Sequence, residues 1–76
     1  MLYVEDEPDI ADPVCLMLAE LGLSVRLCRR YDEAADQVRR GGFDVLLSDL
    51  RLDGGRTGHE LVRLLHAQPD AAGIPA

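Results

Sequence analysis

The stretch Phe43-Asp44-Val45-Leu46-Leu47-Ser48-Asp49-Leu50-Arg51-Leu52-Asp53-Gly54-Gly55 decides the fold. A short apolar run, residues 43–48, ends abruptly on a carboxylate, and an acidic, glycine-rich loop follows. Short apolar runs closed by turn signals read as strands buried on both faces, the pattern of a parallel sheet. In such sheets ligands gather just outside the carboxyl ends of the strands, so Asp49 is expected at that rim. A second apolar run, Met1-Leu2-Tyr3-Val4, leads directly into Glu5-Asp6-Glu7. If the two runs are adjacent parallel strands, three or more carboxyl groups converge on one edge.

Between these runs the chain carries helical and turn signals. Pro8 suits the first turn of a helix, whereas Pro13 in a helix interior costs about 3 kcal/mol. The first helix is therefore expected to kink near Pro13 or to begin its regular part there. Val14, Met17, Leu18 and Leu21 form a stripe at helical spacing, closed by Gly22 as a left-handed cap. Leu23 to Cys28 alternates apolar and polar residues, as a half-exposed strand does. Asp32 is expected to cap a second helix whose face of Ala34, Ala35 and Val38 is small and should pack lightly. Arg39-Arg40 in its last turn suits the helix dipole. A third helix, carrying Leu61, Val62, Leu64 and Leu65, follows the loop from Leu50 to Gly58 and stops at Pro69. Residues 71–76 read as a loop about to enter another strand. The order β-α-β-α-β-α with short links calls for an α/β fold with a parallel sheet and right-handed crossovers.

The chain has 76 residues, enough for one small domain. A chain of this size buries only roughly 60% of its unfolded surface. With one Phe and no Trp, the core is expected to be aliphatic. Fourteen acids against eight bases give a net charge of −6. That field favours cations and basic partners and argues against binding of nucleic acid by this chain alone. No apolar run approaches the length of a membrane span, and no secretory signal opens the sequence. Cys15 and Cys28, set among Leu, Val and Met, read as small buried hydrophobes rather than a disulfide framework or zinc set. The cytoplasm is the expected compartment.

Carboxylates gathered at adjacent strand ends repel one another unless a cation lies between them. Mg²⁺ suits such a site, because it is held by one or two carboxylates, keeps several waters and bridges to phosphate oxygens. With Asp6 and Asp49 on the cation, the free oxygen of Asp49 could attack a phosphoryl group in line, giving an aspartyl phosphate. The acids of residues 5–9 also complement a helix dipole and can cap free N–H groups, a purely structural role.

Two segments, Leu2-Tyr3-Val4-Glu5-Asp6-Glu7-Pro8 and Phe43-Asp44-Val45-Leu46-Leu47-Ser48-Asp49-Leu50, resemble the response-regulator receiver domain of two-component signalling. The resemblance implies a flavodoxin-like doubly wound parallel sheet, here a partial receiver domain over residues 1–76 truncated to about three βα units. It implies Mg²⁺ on Glu5, Asp6 and Asp49, with a further ligand from the backbone carbonyl of Arg51. It also makes Asp49 the acceptor of a phosphoryl group from a histidine kinase or phosphotransfer protein, in a signalling module that is not itself an enzyme. Two departures stand out. Family members usually carry Pro four residues and Gly eight residues after the acceptor, where this chain has Asp53 and Thr57, with Gly58 one step late. This reads as a one-residue insertion giving a looser, more acidic loop, with Asp53 either competing for the metal or solvated. A complete receiver has five strands and five helices over about 120 residues, an ordinary domain size. The family's switch Ser/Thr and conserved Lys, carried by later strands, have no counterpart here.

Competing motifs fail on their own terms. Asp49, Asp53, Gly54 and Glu60 fall on calcium-loop positions, but Arg51 stands where a ligand oxygen belongs and the preceding residues read as strand. Residues 54–58 lack the Gly-Lys-Ser/Thr ending of a P-loop. His59 and His66, about 10 Å apart along a helix, are too far apart to chelate one ion. The alternative function is a degenerate half-receiver acting as a non-enzymatic interaction domain. In either case an exposed apolar edge on the third strand is expected to invite self-association.

Overall fold

The computed structural model describes residues 1–71 and 73–76, with Ala71 described by its backbone alone. Three short strands, β1 (Leu2–Val4), β2 (Arg26–Cys28) and β3 (Leu46–Ser48), form a parallel sheet in the order β2-β1-β3. The registers pair Val4 with Cys28 on one side and with Ser48 on the other. The run beginning at Met1 is therefore the central strand, and Glu5 and Asp49 leave the sheet side by side.

The strand order distributes the helices. A right-handed crossover from β1 out to β2 sets α1 (Pro8–Glu20) on one face. The return from β2 past β1 to β3 sets α2 (Tyr31–Arg40) on the other, where α3 (Gly58–His66) packs against it. This is the doubly wound order of a flavodoxin-like fold, built here from three βα units in a sheet that does not close. The main core lies on the α2–α3 side, where Leu2, Val4, Leu46, Leu61 and Leu65 meet Ala34, Ala35 and Val38.

Three helical details differ from the sequence reading. First, α1 runs from Pro8 in its first turn with Pro13 inside it, so its regular part does not begin at Pro13. It buries only Ala11. Of its expected stripe, Val14 and Leu18 are half-buried, whereas Met17 and Leu21 are exposed. Second, α2 starts at Tyr31, one residue before Asp32, so Asp32 lies in its first turn and does not cap it. Third, α2 packs closely, burying Tyr31, Ala34, Ala35 and Val38. Small side chains let the helix approach β1 and α3, so a modest apolar face becomes the best covered one. Gly22 follows α1 at φ 83°, the left-handed cap expected of it.

Beyond α3, a 3₁₀ turn at Pro69–Ala71 precedes a tail whose Ile74 packs on the core. The Leu46 N–H donates to the Pro75 carbonyl at 2.9 Å. The outer edge of β3 is thus partly occupied, not bare as expected, although Leu47 remains 42% exposed.

Candidate functional site

The carboxyl ends of β1 and β3 build the site. The Asp49 N–H donates to the Val4 carbonyl at 3.0 Å, and the Glu5 N–H to the Cys28 carbonyl at 3.0 Å. Each acid is thereby held by the last rung of a ladder. Carboxylate oxygens of Glu5, Asp6 and Asp49 all lie within 4.8 Å of one another. Glu5 is buried, at 5% exposure, Asp49 is half-buried and Asp6 is exposed, so the cluster runs from the sheet interior to solvent.

The cluster has little internal compensation. One oxygen of Glu5 accepts only a long bond, 3.4 Å, from the Glu7 N–H. Burial pushes the Glu5 carboxyl up from its ordinary pKa, and the charges of Asp49 and Asp6 push it further, against the opposing pull of the Glu7 N–H. Asp49 Oδ1 accepts from the Leu50 N–H at 2.8 Å, so this backbone donor does not occupy Oδ2. A buried carboxylate facing two others is costly to keep charged without a cation, and oxygen-only donors at this spacing suit a hard divalent ion. The residues present fit Mg²⁺.

The loop after Asp49 is tight rather than loose. Arg51 and Thr57 form an isolated antiparallel bridge. Its two hydrogen bonds run from Gly58 N to Leu50 O and from Leu52 N to Arg56 O, each at 2.9 Å. Neither uses the Arg51 carbonyl, which takes no part in the bridge. Leu52 is buried, and a 3₁₀ turn follows at Asp53–Gly55. Gly54 and Gly55, at φ 64° and 74°, supply two consecutive left-handed residues that side chains would resist. Asp53 neither joins the cluster nor sits free in solvent: its Oδ1 accepts from the Tyr31 N–H at 2.7 Å, at the start of α2.

Several neighbours complete the surroundings of the site. Tyr3 is buried on the sheet face opposite Leu2 and Val4. Burial first, then Glu5, Cys15 and Asp49, push its phenol up, so it stays protonated beside the acids. Gly58 is buried against the strand end, and a Cβ there would overlap the Asp49 carbonyl oxygen. Its one-step displacement along the sequence, noted above, was the available clue. Thr57 caps α3 by accepting from the Glu60 N–H at 3.3 Å, as Thr-x-x-Glu before an apolar run signals. Glu60 pairs with Arg56 and lies apart from Asp49's cluster, which removes the calcium-loop reading.

The family model for the response regulator receiver domain matches residues 1–75. The chain belongs to this family. Over 99% of its length the receiver domain is 37% identical to the response regulator protein PilR of Pseudomonas aeruginosa, of which the match covers 17%. It is 33% identical to the phosphate regulon transcriptional regulatory protein PhoB of Klebsiella pneumoniae, again over 99% of its length and 32% of that protein. Against the sensory transduction protein RegX3 of Mycolicibacterium smegmatis it is 32% identical over 90% of its length and 29% of the relative. The chain thus spans a third or less of these curated relatives. No solved structure gives a significant match. Receiver domains are signalling modules of two-component systems, and a phosphoacceptor role in such signalling follows from membership. Among the described residues, no helix is long and apolar enough to cross a membrane.

Proposed function

We propose that residues 1–76 act as a phosphoacceptor receiver module in which Asp49 takes a phosphoryl group from a histidine kinase or phosphotransfer protein. The observation that carries this reading is the convergence of Glu5, Asp6 and Asp49 oxygens at the ends of two adjacent strands. Glu5, Asp6 and Asp49 would hold Mg²⁺, with the Arg51 carbonyl as a further ligand. When bound, that ion neutralises charge on the phosphoryl oxygens during transfer. Asp49 Oδ2 supplies the nucleophile: a bond forms from it to phosphorus as the donor's P–N bond breaks, and the freed imidazole nitrogen keeps the electron pair and takes up a proton. The Leu50 N–H fixes the orientation of the carboxylate by holding Oδ1. We place the module in the cytoplasm, in keeping with its two free cysteines.

A second reading, a non-enzymatic interaction domain, is favoured by one observation. Leu16, Met17, Leu21, Leu47 and Leu50 are exposed, and an apolar hollow of about 300 Å³ opens beside β3 between Leu47, Leu50 and Val62. Incubation with an acyl phosphate donor and Mg²⁺ separates the two. Phosphotransfer predicts a phosphoryl mass increase that is stable in acid, labile to hydroxylamine, and lost in Asp49→Asn. Intact Mg²⁺ binding with an unmodified Asp49 would leave the interaction domain as the better account.

A further inference from the structure

The N-terminus of α2 has no cap of its own. The residue in the capping position, Arg30, has no acceptor on its side chain, and it makes no side-chain capping bond. Yet the first helical N–H, that of Tyr31, is satisfied by Asp53 Oδ1 at 2.7 Å, from a residue 22 positions further along the chain. The carboxylate also meets the positive end of the α2 dipole. Around this bond the Arg56 guanidinium lies 3.9 Å from the centre of the Tyr31 ring and pairs with Glu60 at the start of α3. The Arg30 guanidinium stands 3.9 Å from Asp53 Oδ2, an exposed pair of small weight.

This clasp sits four residues from Asp49, and the intervening chain has no slack. Leu50 is bonded to Asp49, Arg51 is bridged to Thr57, and Leu52 is sunk in the core. We infer that Asp53 is a positioning residue: as a tertiary cap on α2 it holds the loop that carries the Arg51 carbonyl, and so couples cation binding at Glu5, Asp6 and Asp49 to order at the start of α2. The inference rests on the reading of that cluster as an Mg²⁺ site. Coupling is reciprocal, so a loop fixed by the cap raises cation affinity, and the cation in turn steadies the cap.

The substitutions that test this are Asp53→Ala and Asp53→Asn. Both remove the same charge near the cation, but only Asn keeps an oxygen that can accept from the Tyr31 N–H. Mg²⁺ affinity, read by calorimetric titration, is expected to fall roughly tenfold in Asp53→Ala, as for residues that orient metal ligands. In Asp53→Asn it should stay within about twofold of the unaltered chain, on the same capping equivalence. Tyr31 amide exchange, followed by NMR, should slow on Mg²⁺ addition in the unaltered chain and in Asp53→Asn. Equal losses in both variants would show a charge effect and overturn the inference, as would unchanged affinity in Asp53→Ala. If Asp53→Ala fails to fold, the Mg²⁺ response of the Tyr31 amide in the unaltered chain decides. Absence of any Mg²⁺ binding by the unaltered chain would sink the cation-site reading itself, and this inference with it.

Discussion

Glu5 is the residue on which the site's electrostatics turn. In the fold its carboxyl holds a proton to higher pH than in the unfolded chain, so the native state binds more protons just above the ordinary glutamate value of 4.5. Stability therefore falls as pH climbs through the interval between that value and the raised one, and the loss persists at higher pH. Glu5→Gln should remove this contribution. In urea denaturation without metal it is expected to be more stable than the unaltered chain at neutral pH, with the difference shrinking toward acid. Adding Mg²⁺ should stabilise the unaltered chain more than the variant, which keeps Asp6 and Asp49 as donors. The acids themselves were legible in the sequence, since a carboxylate closing an apolar run marks a strand end. Asp53 was not, because its meaning depends on a helix terminus that approaches it only in three dimensions. Gly58 lay between these cases: its displacement along the chain was visible, but the carbonyl it makes room for was not.

At the scale of the helix, α1 and α2 reverse what their sequences suggest. The richer apolar stripe, on α1, leaves Met17 and Leu21 exposed, whereas the alanine-lined face of α2 is buried throughout. Periodicity tells which residues share a face; it says nothing of whether another element covers that face or how closely it can approach. The order and types of the elements were legible because they follow from local pattern. Their degree of burial was not, because it follows from the sheet's strand order. Pro13 gives α1 a measurable defect, since it lacks the N–H that would bond the Asp9 carbonyl. It is exposed and within a continuous helix, so Pro13→Ala should stabilise the fold by about 1–3 kcal/mol. Thermal melting followed by far-UV circular dichroism reads the gain, and an unchanged or lower midpoint would contradict it.

For the molecule as a whole, the exposed residues of α1 and of β3 have a common consequence. Leu16, Met17 and Leu21, with Leu47 and Leu50, present more apolar surface than scattered single residues would. Concentration-dependent self-association is expected in sedimentation velocity, and Leu47→Lys should weaken it by placing a charge beside the β3 edge. A sharp monomer boundary across the concentration range would refute this. The parallel sheet and its βα order were readable from the sequence. The tail's bond to β3 was not, because Pro75 contributes through its carbonyl, which every residue possesses.

The central position of β1 also sets an order of events during synthesis. Leu2–Val4 emerges first, but its partners Arg26–Cys28 and Leu46–Ser48 come later. Until Ser48 is made, the sheet lacks one flank and the acids at its end have no Asp49 to face. At about 5–20 residues per second, the interval from Val4 to Ser48 lasts roughly 2–9 s. The nascent chain therefore carries a central strand with one open flank from Cys28 until Ser48 is made, and the end of the sheet where Glu5, Asp6 and Asp49 meet is the last part of that sheet to become complete.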